Sequence, residues 1–287
     1  MISEEMRGFL EGFKAQGAKK IKATVAEERA NLDAFMAPLK IADGVVFEDL
    51  VLADRPARKH VPPQAKLDRA VLTFHGGGYR VGSLDGYKSF MSHLAVACEA
   101  PVYGLDYRLA PEHTYPAALN DGVAAFIELS ETIAPQRIML VGDSAGGGLA
   151  LASLLVLQER GLPGSGAAAL LSAWLDGTAS GASYADRRAE FQDAMRQYAG
   201  GYAIDTVGLS PLFGDHEGLP PLLLQVARDE PMGDDTTALQ ARALAAGVDS
   251  RLEIFDNAFH DFQVFTQIPE ARAAINAIGE FFREVVL

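Results

Sequence analysis

Gly142-Asp143-Ser144-Ala145-Gly146 places a hydroxyl between an apolar run at 138–141 and a long apolar stretch at 149–157. The run has the composition of a short buried strand, and the stretch that of a helix. A serine on the sharp turn between two such elements exposes its Oγ at the C-terminal end of a sheet. Glycines two residues before and two after let neighbouring backbone approach closely. The N-terminus of the following helix adds partial positive charge where an oxyanion would form. Ser144 is therefore expected to be a nucleophile.

A serine hydroxyl needs a base to attack. Six histidines are available. His60 falls in RPARKHVPPQAKLD, a polar, proline-rich stretch expected to be a solvated loop. His93 falls on a helical segment as a surface or packing residue, His113 in a loop and His216 in a long insertion. His75 precedes three glycines. The chain order for this turn is serine, carboxylate, histidine. Of the two histidines after Ser144, only His260 follows a strand-like segment, so His260 is the expected base. The carboxylate that orients it should lie between them, just past a strand. PLLLQVARDE places Asp229 there. The adjacent Glu230 is expected to point elsewhere, and Glu230 and Asp234 remain the other candidates. Asp234 and Asp235 could cap the next helix. Asp261 is badly placed to bond the ring of its neighbour. His75-Gly76-Gly77-Gly78 follows the apolar run AVLTF, so the Gly76 and Gly77 N–H groups are expected to join that of Ala145 as oxyanion donors. No Gly-Lys-Ser/Thr follows and the G-x-G-x-x-G fingerprint is absent, which excludes the two common phosphate cradles.

These groups need elements to hold them. Strand-like runs at 45–53, 70–74, 101–107, 138–141, 167–175, 221–227 and 250–255 alternate with helical segments at 86–98, 117–130, 148 onward, 234–246 and 269–285. That rhythm predicts an α/β fold with a mostly parallel central sheet flanked by helices. Met6, Phe9, Leu10 and Phe13 recur at helical spacing, as do Leu32, Phe35 and Met36, so residues 1–40 carry an apolar stripe. Residues 177–219 exceed what a crossover needs and hold a helical segment near 185–198. One domain over 1–287 is expected, with a helical cap formed by 1–45 and 177–219.

A net charge of −13 argues against a nucleic-acid partner, since phosphate binding needs clustered Lys and Arg. A single cysteine, Cys98, excludes an internal disulfide. The N-terminal stretch has no apolar signal core and the apolar runs are too short to span a bilayer, so a cytoplasmic protein without a membrane span is expected.

The ordered set HGGG (75–78), DYRLAPEHTYPAA (106–118), GDSAGG (142–147), the DE at 229–230 and the final HDF (260–262) resembles the hormone-sensitive-lipase-like group, bacterial family IV, of α/β-hydrolase-fold esterases. The similarity runs from about residue 45 to the C-terminus. It implies cofactor-free and metal-free hydrolysis of small carboxylic esters with short to medium acyl chains. Ser144, Asp229 and His260 match the nucleophile, acid and base, and Gly76, Gly77 and Ala145 match the oxyanion donors. Tyr107 and Arg108 match the segment that supports the HGGG loop. The resemblance leaves a homodimer open. Gly148 stands where asparagine is common, Ala173 where proline is frequent, Pro231-Met232-Gly233 where an apolar pair follows the acid, and Asp261 where an apolar residue or glycine follows the base. The substrate pocket is expected to be apolar and drawn from Tyr79, Trp174, Tyr184, Phe191, Tyr198 and Phe213, each of which equally fits ordinary packing. The alternatives are a lactone, amide or carbamate hydrolase with the same triad, or a non-catalytic ligand-binding protein of this fold.

Overall fold

The computed structural model describes residues 2–16 and 23–286. Phe13, part of the expected N-terminal stripe, lies outside the described side chains. Eight strands form one sheet: β1 (Val46–Leu52), β2 (Arg55–Val61), β3 (Ala70–Phe74), β4 (Val102–Leu105), β5 (Ile138–Asp143), β6 (Ala167–Leu171), β7 (Leu222–Ala227) and β8 (Ser250–Phe255). Their order is β1-β2-β4-β3-β5-β6-β7-β8. β2 runs antiparallel to β1 and β4, and every other pairing is parallel.

Strands β3 to β7 are buried along their whole length, which explains their uninterrupted apolar runs. The two-residue period still sorts their side chains. Leu72 and Leu140 join the core beneath α4 (Ala117–Ser130), α5 (Ala145–Glu159) and α7 (Gly233–Ala245). Val71 and Met139 join the opposite core, beneath α3 (Lys88–Cys98) and α8 (Pro269–Val285). Helix α5 is apolar on nearly every side because it packs against β3, β5, β6 and α4 in the first of these cores. Helix α8 buries Ala271, Ala274, Ile275, Ile278 and Phe282, the spacing of one helical face. Cys98 ends α3 inside this second core, and burial pushes its thiol well up. Among the described residues no helix is long and apolar enough to cross a membrane.

Residues 55–61, expected as loop, form β2 instead. Ala57 and His60, on opposite faces of the strand, are buried, while the charged residues between them sit nearer solvent. His60 is therefore not solvated. Its ring meets Phe47 edge-on at 4.9 Å, and burial pulls its pKa down to about 4. The unfolded chain binds a proton there more readily than the folded one. The stability that a neutral His60 contributes is thus present above the ordinary histidine pKa and lost as pH falls toward 4. We expect this residue alone to lower stability by about 2 kcal/mol between pH 7 and pH 5. Denaturant unfolding of His60→Leu at the two pH values should show a correspondingly smaller drop than the native chain. An equal drop would place the acid sensitivity elsewhere.

Three further helices lie over the C-terminal edge of the parallel strands or beside it: α1 (Glu4–Gln16), α2 (Val25–Met36) and α6 (Arg188–Ala199). Thr24 opens α2 with a capping box: its side chain accepts from the Glu27 N–H, and Glu27 reaches back to the Thr24 backbone. Phe9 of α1 stacks on Phe259 at 5.8 Å, and Ser3 bonds Glu270 at the start of α8. Arg29 of α2 donates to the carbonyls of Arg80 and Ala110 at 2.9 and 3.1 Å. Phe9 and Arg29 thus reach loops that follow β8, β3 and β4.

Candidate active site

Ser144 follows β5 directly and has φ +49° and ψ −119°, a conformation that costs about 1–3 kcal/mol for a non-glycine residue. Three backbone bonds hold it there. Its N–H donates to Leu171 O at 2.9 Å, and its carbonyl accepts from Trp174 N at 2.9 Å and Gly148 N at 3.1 Å. The flanking glycines are required by contact. A Cβ on Gly142 would meet Gly146 O at 2.2 Å, and one on Gly146 would meet Phe74 O at 2.0 Å.

His260 lies on the loop after β8 and reaches across to the serine. Its Nε2 is 3.0 Å from Ser144 Oγ. Its Nδ1 is 3.1 Å from Glu230 Oε2. The expectation for the carboxylate was off by one residue. Asp229 is exposed, whereas Glu230 is buried with its carboxylate on the imidazole. Strand β7 ends at Ala227, and the turn that follows carries the third residue inward rather than the second. A signal was present: the departure noted after Asp229 vanishes when Glu230 is the acid, because Pro231-Met232 then directly follows it as an apolar pair.

The HGGG loop also departs from the expectation, at Gly76. The Gly76 N–H is already taken, donating to Asp143 Oδ1 at 3.0 Å and to the Tyr87 hydroxyl at 3.1 Å. It is not free to meet a substrate. Among the described residues no acceptor takes the N–H of Gly77, Gly78 or Ala145. Gly77 and Gly78 both have positive φ, at 112° and 63°. Asp143 is the functional residue that motif reading passed over. It is buried beside Ser144 and ties β5 to the HGGG loop, with Tyr87 Oη donating to its Oδ2 at 2.7 Å. Burial pushes its pKa up to about 6 against the pull of the Tyr87 bond. The loop is supported from below as expected. The Tyr107 hydroxyl donates to His75 O at 2.6 Å and its ring stacks on His75 at 4.4 Å, while Arg108 grips Asp121 of α4.

The expected aromatic pocket divides. Tyr79 and Tyr198 stack at 3.8 Å and 4°, joining the residue after HGGG to α6. Phe191 of α6 meets Trp174 and Tyr184 edge-on at 5.5 and 5.0 Å. The Tyr184 hydroxyl donates to Asp235, which also accepts the N–H groups of Leu175 and Asp176. Asp235 therefore clamps the loop after β6 and does not cap α7. Asp234 likewise accepts the Ser183 N–H rather than capping. Phe213 stands apart, half-exposed against Arg242 and lining a separate groove with Leu155 and Val207. A groove of about 760 Å³ opens between α2 and α6 with Gly78 in its lining, and its walls carry Glu28, Arg80, Asp186, Arg187 and Asp193.

Residues 71–264 match a family described by the alpha/beta hydrolase fold. An acetyl-hydrolase of Streptomyces hygroscopicus is 37% identical over 84% of this chain and 84% of its own. The crystal structure of an esterase from the bacterial hormone-sensitive lipase family superposes with a TM-score of 0.94 at 37% identity over 100% of both chains. EstE5, soaked with p-nitrophenyl butyrate, superposes with a TM-score of 0.94 at 34% identity over 99% of both. The sheet, the serine turn and these likenesses agree: the chain belongs to the α/β-hydrolase fold family, among its hormone-sensitive-lipase-like esterases, and is a carboxylic ester hydrolase.

Proposed function

We propose that the chain hydrolyses short- to medium-chain esters of small molecules through Ser144, His260 and Glu230 and a covalent acyl-enzyme. The observation that carries this reading is the continuous line of contacts Ser144 Oγ–His260 Nε2–His260 Nδ1–Glu230 Oε2, with both links near 3 Å. Glu230 accepts the Nδ1–H and so leaves Nε2 free to take the serine proton. Oγ attacks the ester carbonyl, and the N–H groups of Gly77, Gly78 and Ala145 receive the developing oxyanion. The imidazolium returns its proton to the leaving alcohol. Water then attacks the acyl carbon, giving its proton to Nε2, and the imidazolium returns that proton to Ser144 Oγ as the acid leaves. The names of the acetyl-hydrolase relative and of the butyrate-soaked neighbour support the short- to medium-chain range.

A sulfonyl fluoride tests the nucleophile. We expect intact mass to rise by one adduct, the adduct to map to Ser144, and ester hydrolysis to vanish in step. An adduct on another serine with the same loss of activity would overturn the assignment. The same preparation, run over p-nitrophenyl esters of increasing chain length, should lose kcat/KM steadily beyond medium chains.

A further inference from the structure

We propose that Asp261 is a second carboxylate partner of the catalytic base, holding the Nε2–H of the His260 imidazolium in competition with Ser144 and so setting the pH at which the enzyme switches on. This rests on His260 being the base. Asp261 Oδ2 lies 3.1 Å from His260 Nε2, and Ser144 Oγ lies 3.0 Å from the same nitrogen. One N–H serves two oxygens, and only one of them is the nucleophile. The sequence expectation that Asp261 could not bond the ring of its neighbour is not met. The reason is backbone conformation: Asp261 has φ +58°, and its N–H lies 3.4 Å from the Ser172 hydroxyl beyond β6, which folds its side chain back over the imidazole.

The surroundings leave this carboxylate little else to do. Asp261 Oδ1 and Glu230 Oε1 are buried, and neither has a hydrogen-bond partner among the described residues. Among the described residues, the groups facing His260 are Glu230 past β7, Asp143 and Ser144 at the end of β5, Ser172 past β6, and Tyr87, just before α3, through its bond to Asp143. Helix α1 brings the ring of Phe9 onto Phe259. Three carboxylates thus face one imidazole. Burial pulls the imidazole toward its neutral form, yet Asp261, then Glu230 and Asp143, outweigh it and raise its pKa to about 9. Burial in turn pushes the Asp261 carboxyl well above its usual range, with the imidazolium pulling it back. The two groups therefore titrate as a pair.

The consequence follows from proton counting. The base must be neutral to take the Ser144 proton, so a raised pKa keeps the enzyme off at neutral pH and on above it. In the transition state the imidazolium forms again and Asp261 stabilises it. Removing the charge should move the acidic limb of kcat/KM down by about 1–3 pH units, the range for an opposite charge this close. The plateau should fall by less, because only part of the proton charge has developed at the transition state. The two pH profiles should therefore cross, with Asp261→Asn several-fold more active than the native enzyme at pH 6 and less active at pH 10.

The experiment is the pH profile of kcat/KM for the native protein, Asp261→Asn and Asp261→Gly, both of which tolerate the left-handed backbone. It is paired with the NMR titration of the His260 imidazole in a Ser144→Ala background with and without each substitution. Crossing profiles and a matching fall in the imidazole pKa carry the proposal. A fixed limb, or an equal loss of rate at every pH in both variants, overturns it. Should the native enzyme keep its activity in His260→Ala, the reading of His260 as base fails instead, and the two failures are told apart.

Discussion

Glu230→Gln should lower kcat by about 10³–10⁴-fold, while Asp229→Asn should change it less than threefold. The asymmetry follows from which carboxylate reaches the ring. Glu230 Oε2 accepts from His260 Nδ1 at 3.1 Å and is buried, whereas Asp229 is exposed. Glutamine keeps the size and one acceptor, but its amide can turn its NH2 toward Nδ1 and favour the tautomer that carries the proton on Nε2. That tautomer cannot accept from Ser144. Glutamine also removes one of the charges that raise the His260 pKa. What activity remains should therefore show its acidic limb at lower pH than in the native enzyme. Steady-state kinetics on one short-chain ester from pH 5 to 10 reads both effects. A severe loss in Asp229→Asn with a near-native Glu230→Gln would return the role to Asp229 and invalidate the contact geometry described here.

The fold was legible where strands are buried on both faces, because there a strand has no polar side to confuse the pattern. Runs such as AVLTF and PLLLQVA mark β3 and β7 for that reason. β2 was illegible because it is nearly an edge: it carries charged residues nearer solvent, it contains Pro56, and only Ala57 and His60 are buried. The contact of Ser144 with His260 was readable because their positions are fixed by strand ends and chain order. The carboxylate that meets the imidazole, and the glycine N–H groups left without an acceptor, each lie one residue beyond the expected ones, for a common reason. Sequence places a loop past a strand, but hydrogen bonds decide which residue of it turns inward. At Glu230 the partner is the imidazole, and at Gly76 it is Asp143. Asp143 itself reads in sequence only as the variable residue of Gly-x-Ser-x-Gly, and nothing in the spacing reveals that Tyr87, fifty-six residues earlier, will donate to it.

That bond leads to the second large effect, at a residue that touches no reacting atom. Asp143→Ala should lower kcat by about 10²–10³-fold, the cost of losing an aligned oxyanion donor, with a smaller change in KM. The native carboxylate accepts the Gly76 N–H on Oδ1 and the Tyr87 hydroxyl on Oδ2. Alanine leaves the Tyr87 hydroxyl buried without an acceptor, at about 1–3 kcal/mol, and the Gly76 N–H with the Tyr87 oxygen as its one remaining acceptor. The loop can recover that energy only by moving, and moving it displaces Gly77 and Gly78, whose N–H groups are the ones left free. Ground-state binding elsewhere in the groove is largely untouched, so the loss falls on kcat. Asparagine separates hydrogen bonding from charge. Its carbonyl still accepts from Gly76, and its NH2 can donate to the Tyr87 oxygen, so Asp143→Asn should recover most of the rate. A boronic acid that mimics the tetrahedral intermediate should bind native and Asn forms alike and the Ala form at least tenfold more weakly, since one displaced donor costs more than the 1.4 kcal/mol that tenfold represents. Near-native kcat in Asp143→Ala would show that the loop stands without this anchor. Equal losses in the Asn and Ala forms would mean that the charge near His260, and not the pair of hydrogen bonds, is what the site requires.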